Sequence, residues 1–167
     1  MSNTIETIFI WNEAVALRSS ELFYKYEFRH SYRRYIGWIF IAMAQFGVVG
    51  ALKHDAYGML VVSSFLLIYW YGIRWQLRKR LAMRLFASSP LANKEIVTYF
   101  KTEGFETEGK IVPWSDVVKV VEKGDGFLFF RVDHVSFFPK EAFKTSDERV
   151  ALRELLKQSN LVFEKEL

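Results

Sequence analysis

Side chains able to do acid, base or metal chemistry are few in this 167-residue sequence, and they are scattered. The three histidines stand at His30, His54 and His134, the last beside Asp133. The sequence has no cysteine, which excludes disulfides and thiolate metal sites. No HExxH helix, phosphate-binding loop or nucleophile elbow occurs. A His30–His134 pair is the one conceivable metal or acid/base arrangement; the plainer reading is one interfacial and one turn histidine. No catalytic, cofactor-binding or metal-ligating residue is therefore assigned, and the chain is not expected to be an enzyme. Carboxylates do gather, at Glu103, Glu106 and Glu108. Such a patch is ordinarily a solvated face; as a functional surface it would meet a basic partner.

The elements that must position these groups are dominated by two apolar runs, YIGWIFIAMAQFGVVGAL (35–52) and AYGMLVVSSFLLIYWYGI (56–73), separated by Lys53, His54 and Asp55. As a helix each run spans roughly 27 Å, close to the ~30 Å hydrocarbon thickness of a bilayer. Neither contains a charge, and the polar atoms within are those of Gln45, Ser63 and Ser64. The pattern predicts a transmembrane helical hairpin with a very short outer turn. Arg29, Arg33 and Arg34 precede it, and Arg74, Arg78, Lys79, Arg80 and Arg84 follow it, whereas the turn offers only Lys53. Basic residues collect on the cytoplasmic side, so both termini are expected there. In an antiparallel hairpin centred on His54, Trp38 lies level with Trp70. Tyr35, Tyr69, Tyr71 and Trp75 then complete an interfacial aromatic belt.

The net charge of +4 suggests nucleic acid until the charge is located. Residues 74–93 carry five basic and no acidic groups, whereas 94–167 carry twelve basic against fourteen acidic. The excess is juxtamembrane, where each basic side chain contributes about 1 kcal/mol near an anionic leaflet. Nucleic-acid binding needs positive charge on a soluble face, and the soluble part is slightly acidic. Arg33, Arg34, Arg74, Arg78, Lys79 and Arg80 are therefore the expected lipid-headgroup contacts.

Within the hairpin, Ala44, Gly47 and Ala51 form a small-residue stripe that permits close helix approach. Gln45 and Ser63 fall at the same expected depth and are candidates for a mid-membrane hydrogen bond, or for a polar contact with another membrane protein or a lipid. The Gly47 face is satisfied within one hairpin or by self-association.

Along the rest of the chain, TIETIFIW (4–11) reads as a short strand, and Asn12 caps a helix over 13–30. That helix is too charged to enter a bilayer, and packing on the soluble part is favoured over lying on the membrane surface. No cleaved signal peptide is expected. Leu77, Leu81 and Leu85 continue a basic helix over 74–88, ended by Ser88, Ser89 and Pro90. From Asn93 the period changes to short strands between glycine turns: 96–102, 105–108, 110–114, 117–122, 127–132 and 135–138. Phe127, Phe129, Phe130, Phe137, Phe138 and Phe143 make the strands apolar on both faces, for core packing first and a membrane- or partner-facing patch second. Thr145 and Glu148 form a capping box opening a last helix over 146–158. Five or six strands and that helix suggest a small rolled sheet plugged by the helix.

At these residues the chain resembles the YcxB-like family of bacterial membrane proteins. The similar features are the paired apolar helices with basic flanks, Tyr99-x-x-x-x-Gly104, and Pro113-Trp114-Ser115-Asp116-Val117 leading into Lys119-Val120. The Phe127–Phe130 strand, Pro139-Lys140-x-Ala142-Phe143 and the capped last helix continue the likeness, which covers roughly 35–158. The resemblance implies a pleckstrin-homology-like domain on a two-helix anchor in the bacterial inner membrane, and it carries no catalytic motif. In that fold a phosphoinositide site needs several Lys and Arg on an early strand turn; the turns here carry Glu103, Glu106 and Glu108, which argues against one.

The expectation is thus an α+β membrane protein. Residues 1–34 form an N-terminal strand and helix, 35–73 the hairpin, 74–92 a basic helix and linker, and 93–167 an antiparallel, pleckstrin-homology-like β-roll closed by a C-terminal helix. The leading functional reading is a non-catalytic, inner-membrane-anchored protein-binding module acting as scaffold, regulator or sensor, with Glu103, Glu106 and Glu108 as the partner surface. A more specific form is an immunity protein that neutralises a secreted toxin at the membrane. The alternative is an anionic-lipid-binding module using the juxtamembrane basic cluster.

Overall fold

A computed structural model describes residues 4–166, apart from the side chains of Arg33, Arg34 and Glu166. The chain divides into two compact units, one made of the residues up to Leu22 together with those from Ser89 onward, the other of Phe23–Ser88.

In the first unit, the alternating sequence IETIFI forms strand β1 (Ile5–Ile10), with Ile5 and Thr7 buried. It pairs antiparallel with β2 (Glu95–Lys101), which pairs with β3 (Gly104–Thr107), and that with β4 (Lys110–Pro113). The β3–β4 hairpin turns on Glu108 and Gly109, both at positive φ (51° and 73°), as a tight two-residue turn requires. A short 3-10 turn, Trp114–Asp116, then carries the chain into a second sheet. There β5 (Val117–Lys123) lies between β6 (Gly126–Arg131) and β8 (Val162–Glu166), and β7 (Val135–Pro139) flanks β6. Among the described residues, eight strands thus form two four-stranded sheets rather than one rolled sheet of five or six. β4 and β5 belong to different sheets, because the extended Pro113 leads into the Trp114 turn instead of a hairpin. β8 follows helix α5 (Ser146–Gln158) and runs parallel to β5, so the helix does not end the fold.

The core lies between the sheets and α5. Phe100, Phe127 and Phe129 are fully buried with Leu152 and Leu156, and Phe105, Trp114, Phe138 and Phe143 pack around them. Phe100 alone meets five other rings, stacked, tilted or edge-on, at centroid distances of 5.2–6.5 Å. Edge-to-face pairs of this kind add about 0.5–1.5 kcal/mol each beyond area burial. The Trp114 indole N–H donates to the Lys101 carbonyl at 3.1 Å, which satisfies its polar end. Apolar residues on both faces of β6 have separate destinations. Phe127 and Phe129 enter this core, whereas Leu128 is fully buried on the opposite face in register with Val121 and Phe137. Leu22 of helix α1 (Glu13–His30) reaches the same sheet, 3.3 Å from where a Cβ on Gly124 would stand. Asn12 caps α1 through its Oδ1, which accepts from the Val15 N–H at 3.0 Å. Thr145 and Glu148 form the expected capping box of α5.

The second unit holds the end of α1, helix α2 (Arg33–Lys53), helix α3 (Tyr57–Ile68), a π-helical turn over Tyr69–Ile73, and helix α4 (Arg74–Ser88). The last three are one continuous helix. Tyr35–Lys53 and Tyr57–Ser88 are long and apolar enough to cross a membrane, and their apolar windows are only 22% and 6% buried. Ile41, Ala44 and Ala51 are buried on α2, and a Cβ on Gly47 would lie 2.2 Å from the Ser63 Oγ. The small-residue stripe therefore seats α3 within the hairpin.

Candidate functional site

The acidic trio divides. Outward positions of β2 and its neighbours follow the strand alternation, so Glu6, Tyr99, Glu106 and Ile111 form one row across the outer face of the first sheet. Ile8 and Val97 form the next row, and Ile10 and Glu95 the one after. Glu106 and Glu108 line a shallow depression of about 290 Å³ with Glu95, Val97 and Tyr99. Glu103 instead sits in the β2–β3 turn, at the other end of β3, where its carbonyl accepts the Trp114 N–H at 3.2 Å. Glu106 is paired with Lys101 at 2.6 Å, and Glu6 with Lys144. The hydrogen bond from Lys144 holds the Glu6 carboxyl below its ordinary range. Exposed apolar side chains stand between these charges: Ile8, Ile10, Tyr99 and, at 70% exposure, Ile111. Glu6, Glu95 and Tyr99 were not among the sequence candidates; the period-2 alternation of β2 places the last two on the face that carries Glu106, Tyr99 directly opposite it.

A second cluster lies wholly within the hairpin unit. Trp70, Arg74 and Arg78 recur every four residues and face Tyr24 and Phe28, also four apart, on the end of α1. The Arg74 guanidinium stands 4.4 Å from the centre of the Trp70 ring, 5.4 Å from Tyr24 and 5.5 Å from Phe28. Arg78 lies 3.8 Å over the Tyr24 ring. With Trp75 these residues line a cleft of about 250 Å³. Trp70 also packs on Phe40 at 5.6 Å and against Gly37, where a Cβ would come within 2.7 Å of its ring. Of the expected headgroup contacts, Arg74 and Arg78 thus meet in one place, Lys79 and Arg80 are exposed on α4, and the side chains of Arg33 and Arg34 lie outside the described residues. Gln45 is exposed, and the partner seated against Ser63 is Gly47 rather than Gln45.

His30 and His54 belong to one unit and His134 to the other. His30 stacks on Tyr26 at 4.3 Å and meets its carbonyl at 3.0 Å. His134 sits between β6 and β7, 2.9 Å from Asp133 and 2.9 Å from Arg131. The hydrogen bond from His134 lowers the Asp133 carboxyl from its ordinary range. His30 and His134 belong to different units.

One buried charge was not legible as such. Glu122 of β5 is 1% exposed and accepts two bonds from Arg153 of α5, both at 2.8 Å, with Lys140 at 3.1 Å. Burial pushes its carboxyl up, but hydrogen bonds from Arg153 and Lys140, with their charges, outweigh this and hold it below the ordinary value. This group fastens α5 to the sheet.

These features define an α+β chain with two membrane-length apolar helices and a two-sheet β unit. Residues 98–156, from β2 to α5, match the family model described as YcxB-like protein. No curated protein and no solved structure matches the chain.

Proposed function

We propose that the protein is a non-catalytic module anchored in the inner membrane by α2 and α3, whose β unit binds another protein on the cytoplasmic side. The anchoring rests on exposure. A core helix of a water-soluble protein hides its apolar face, whereas here Met43, Phe46, Val49, Val61 and Phe65 are all more than 60% exposed. In lipid such surface is at home. The basic flanks against a single lysine in the turn favour both termini in the cytoplasm.

The observation that carries the binding role is the outer face of the first sheet. It sets Ile8, Val97, Tyr99 and Ile111 among Glu6, Glu95, Glu106 and Glu108, a mixture suited to a partner with basic and apolar side chains. Two sheets about an aromatic core with an adjoining C-terminal helix favour a pleckstrin-homology-like description of the unit. Its strand turns carry acids where a phosphoinositide site would need bases. Neutralisation of a toxin is one form of this binding role; scaffold and sensor are others.

Affinity capture of the full chain in mild detergent tests the proposal. One stoichiometric protein should be recovered by the wild type and lost with Glu106→Lys or Glu108→Lys. The exposed Glu154→Lys on α5 should leave recovery unchanged. Equal recovery by all variants removes this face from the function.

A further inference from the structure

We infer that the cleft between the end of α1 and the Trp70–Arg74–Arg78 ladder is a phosphate-binding site, for an anionic phospholipid headgroup or a free phosphate ester. Arg74 and Arg78 are held by aromatic faces rather than by acids: neither has a carboxylate partner among the described residues. A guanidinium stacked in this way keeps its in-plane N–H donors available, and it has no acceptor capacity of its own. The Arg78 Nη1 is buried without any hydrogen-bond partner. Buried donors in native proteins are nearly always satisfied, so one left over calls for a missing acceptor. Two guanidinium forks beside one cleft match the paired oxygens of a phosphate, which accepts such bonds in bidentate fashion.

Position specifies the source further. Arg74 stands seventeen positions after Tyr57, where α3 begins, which at ~1.5 Å per residue is about 26 Å along the helix, close to one hydrocarbon thickness. Trp70 and Trp75 bracket it where indoles settle at a bilayer interface. The cleft therefore opens at headgroup depth, on the side where the basic residues gather. This placement rests on the reading that α2 and α3 cross a bilayer; the phosphate chemistry does not.

The test uses the full chain in a neutral detergent. Its thermal midpoint is measured with phosphatidylglycerol, phosphatidylcholine, glycerol phosphate and inorganic phosphate, and lipid retention is read by native mass spectrometry. Phosphatidylglycerol should stabilise the wild type and be retained one to one, and phosphatidylcholine should do neither. Arg78→Gln should weaken retention at least about tenfold, as expected for losing charged hydrogen bonds. Arg78→Lys, which keeps the charge and the aliphatic stem, should weaken it less. Arg84→Gln removes the same net charge from an exposed position on α4 outside the cleft and should leave retention intact. Equal losses for Arg78→Gln and Arg84→Gln, or no stabilisation by any phosphate, overturn the site. Stabilisation by glycerol phosphate or inorganic phosphate at similar concentration assigns it to a free ester instead of a lipid. Alkaline extraction of wild-type membranes reports on anchoring separately: release without detergent removes the bilayer placement while the detergent measurements still score the phosphate site.

Discussion

Phenylalanine is 0% exposed at positions 100, 127 and 129, whereas at position 46 it is 78% exposed. The two units draw on the same aromatic-rich composition and treat it in opposite ways. In the β unit, rings face one another and water is excluded by packing. In the hairpin, the small residues face inward (Ala44, Gly47, Ala51) and the large apolar ones face out. That inversion is intelligible when two solvents are involved: burial of large groups stabilises a fold in water, but lipid gives no such drive, and close backbone approach takes its place.

The largest effect expected from this contrast is at Phe100. Phe100→Ala should lower the unfolding free energy of the β unit by about 3–5 kcal/mol, seen as an earlier chemical-denaturation midpoint in the fluorescence of the neighbouring Trp114. Phe46→Ala removes the same ring from an exposed site and should move that midpoint by less than about 0.5 kcal/mol. Equal effects of the two would erase the distinction between the units.

Phe46→Lys comes next. Near the middle of a spanning helix a lysine costs about 3 kcal/mol in insertion, so the alkali-resistant fraction should fall sharply. On a helix exposed to water the same change would be neutral or would raise solubility, and that outcome would break the comparison. A smaller change should follow Gly47→Ile. Its Cβ would stand 2.2 Å from the Ser63 Oγ, so α2 and α3 must part. Overpacking of this kind costs roughly 1–3 kcal/mol, read as a lowered thermal midpoint in detergent and a loss of crosslinking between cysteines placed on the two helices.

Legibility in the sequence followed the range of the interactions. The hairpin, the Asn12 cap and the Thr145–Glu148 capping box were readable because each is decided by residues a few positions apart. The strands from β2 to β7 came out close to their observed bounds for the same reason. What stayed hidden was long-range. VFEKE gives no sign that it will run parallel to β5, and the pairing of Ile5 with Phe100 crosses more than half of the chain. The arginine–aromatic cleft was half legible: Arg74 and Arg78 stood out by charge, but Tyr24 and Phe28, which fix them, lie some fifty residues earlier. Gln45 was misplaced because a depth estimate gives level but not rotation about the helix axis, and rotation decides that Gly47 meets Ser63.

The smallest effect is a charge that the β unit keeps inside, where the hairpin windows admit almost none. Nothing in VVKVVE singles out Glu122, yet the residue points at α5, and Arg153 and Lys140 compensate its desolvation. Because its folded carboxyl titrates below the ordinary value, the folded form holds fewer protons than the unfolded form across that interval. Its stabilising contribution is therefore complete above the unfolded carboxylate range, near pH 4–5, and is lost as pH falls through the depressed folded value. Glu122→Gln keeps the shape and one acceptor for Arg153 but replaces charge-assisted bonds with neutral ones, a loss of about 1 kcal/mol at neutral pH. The variant should also flatten the acid limb of the stability profile, so that wild type and variant converge toward low pH. A constant gap at all pH values would mean that the carboxylate charge contributes nothing there and that shape alone holds α5 to β5.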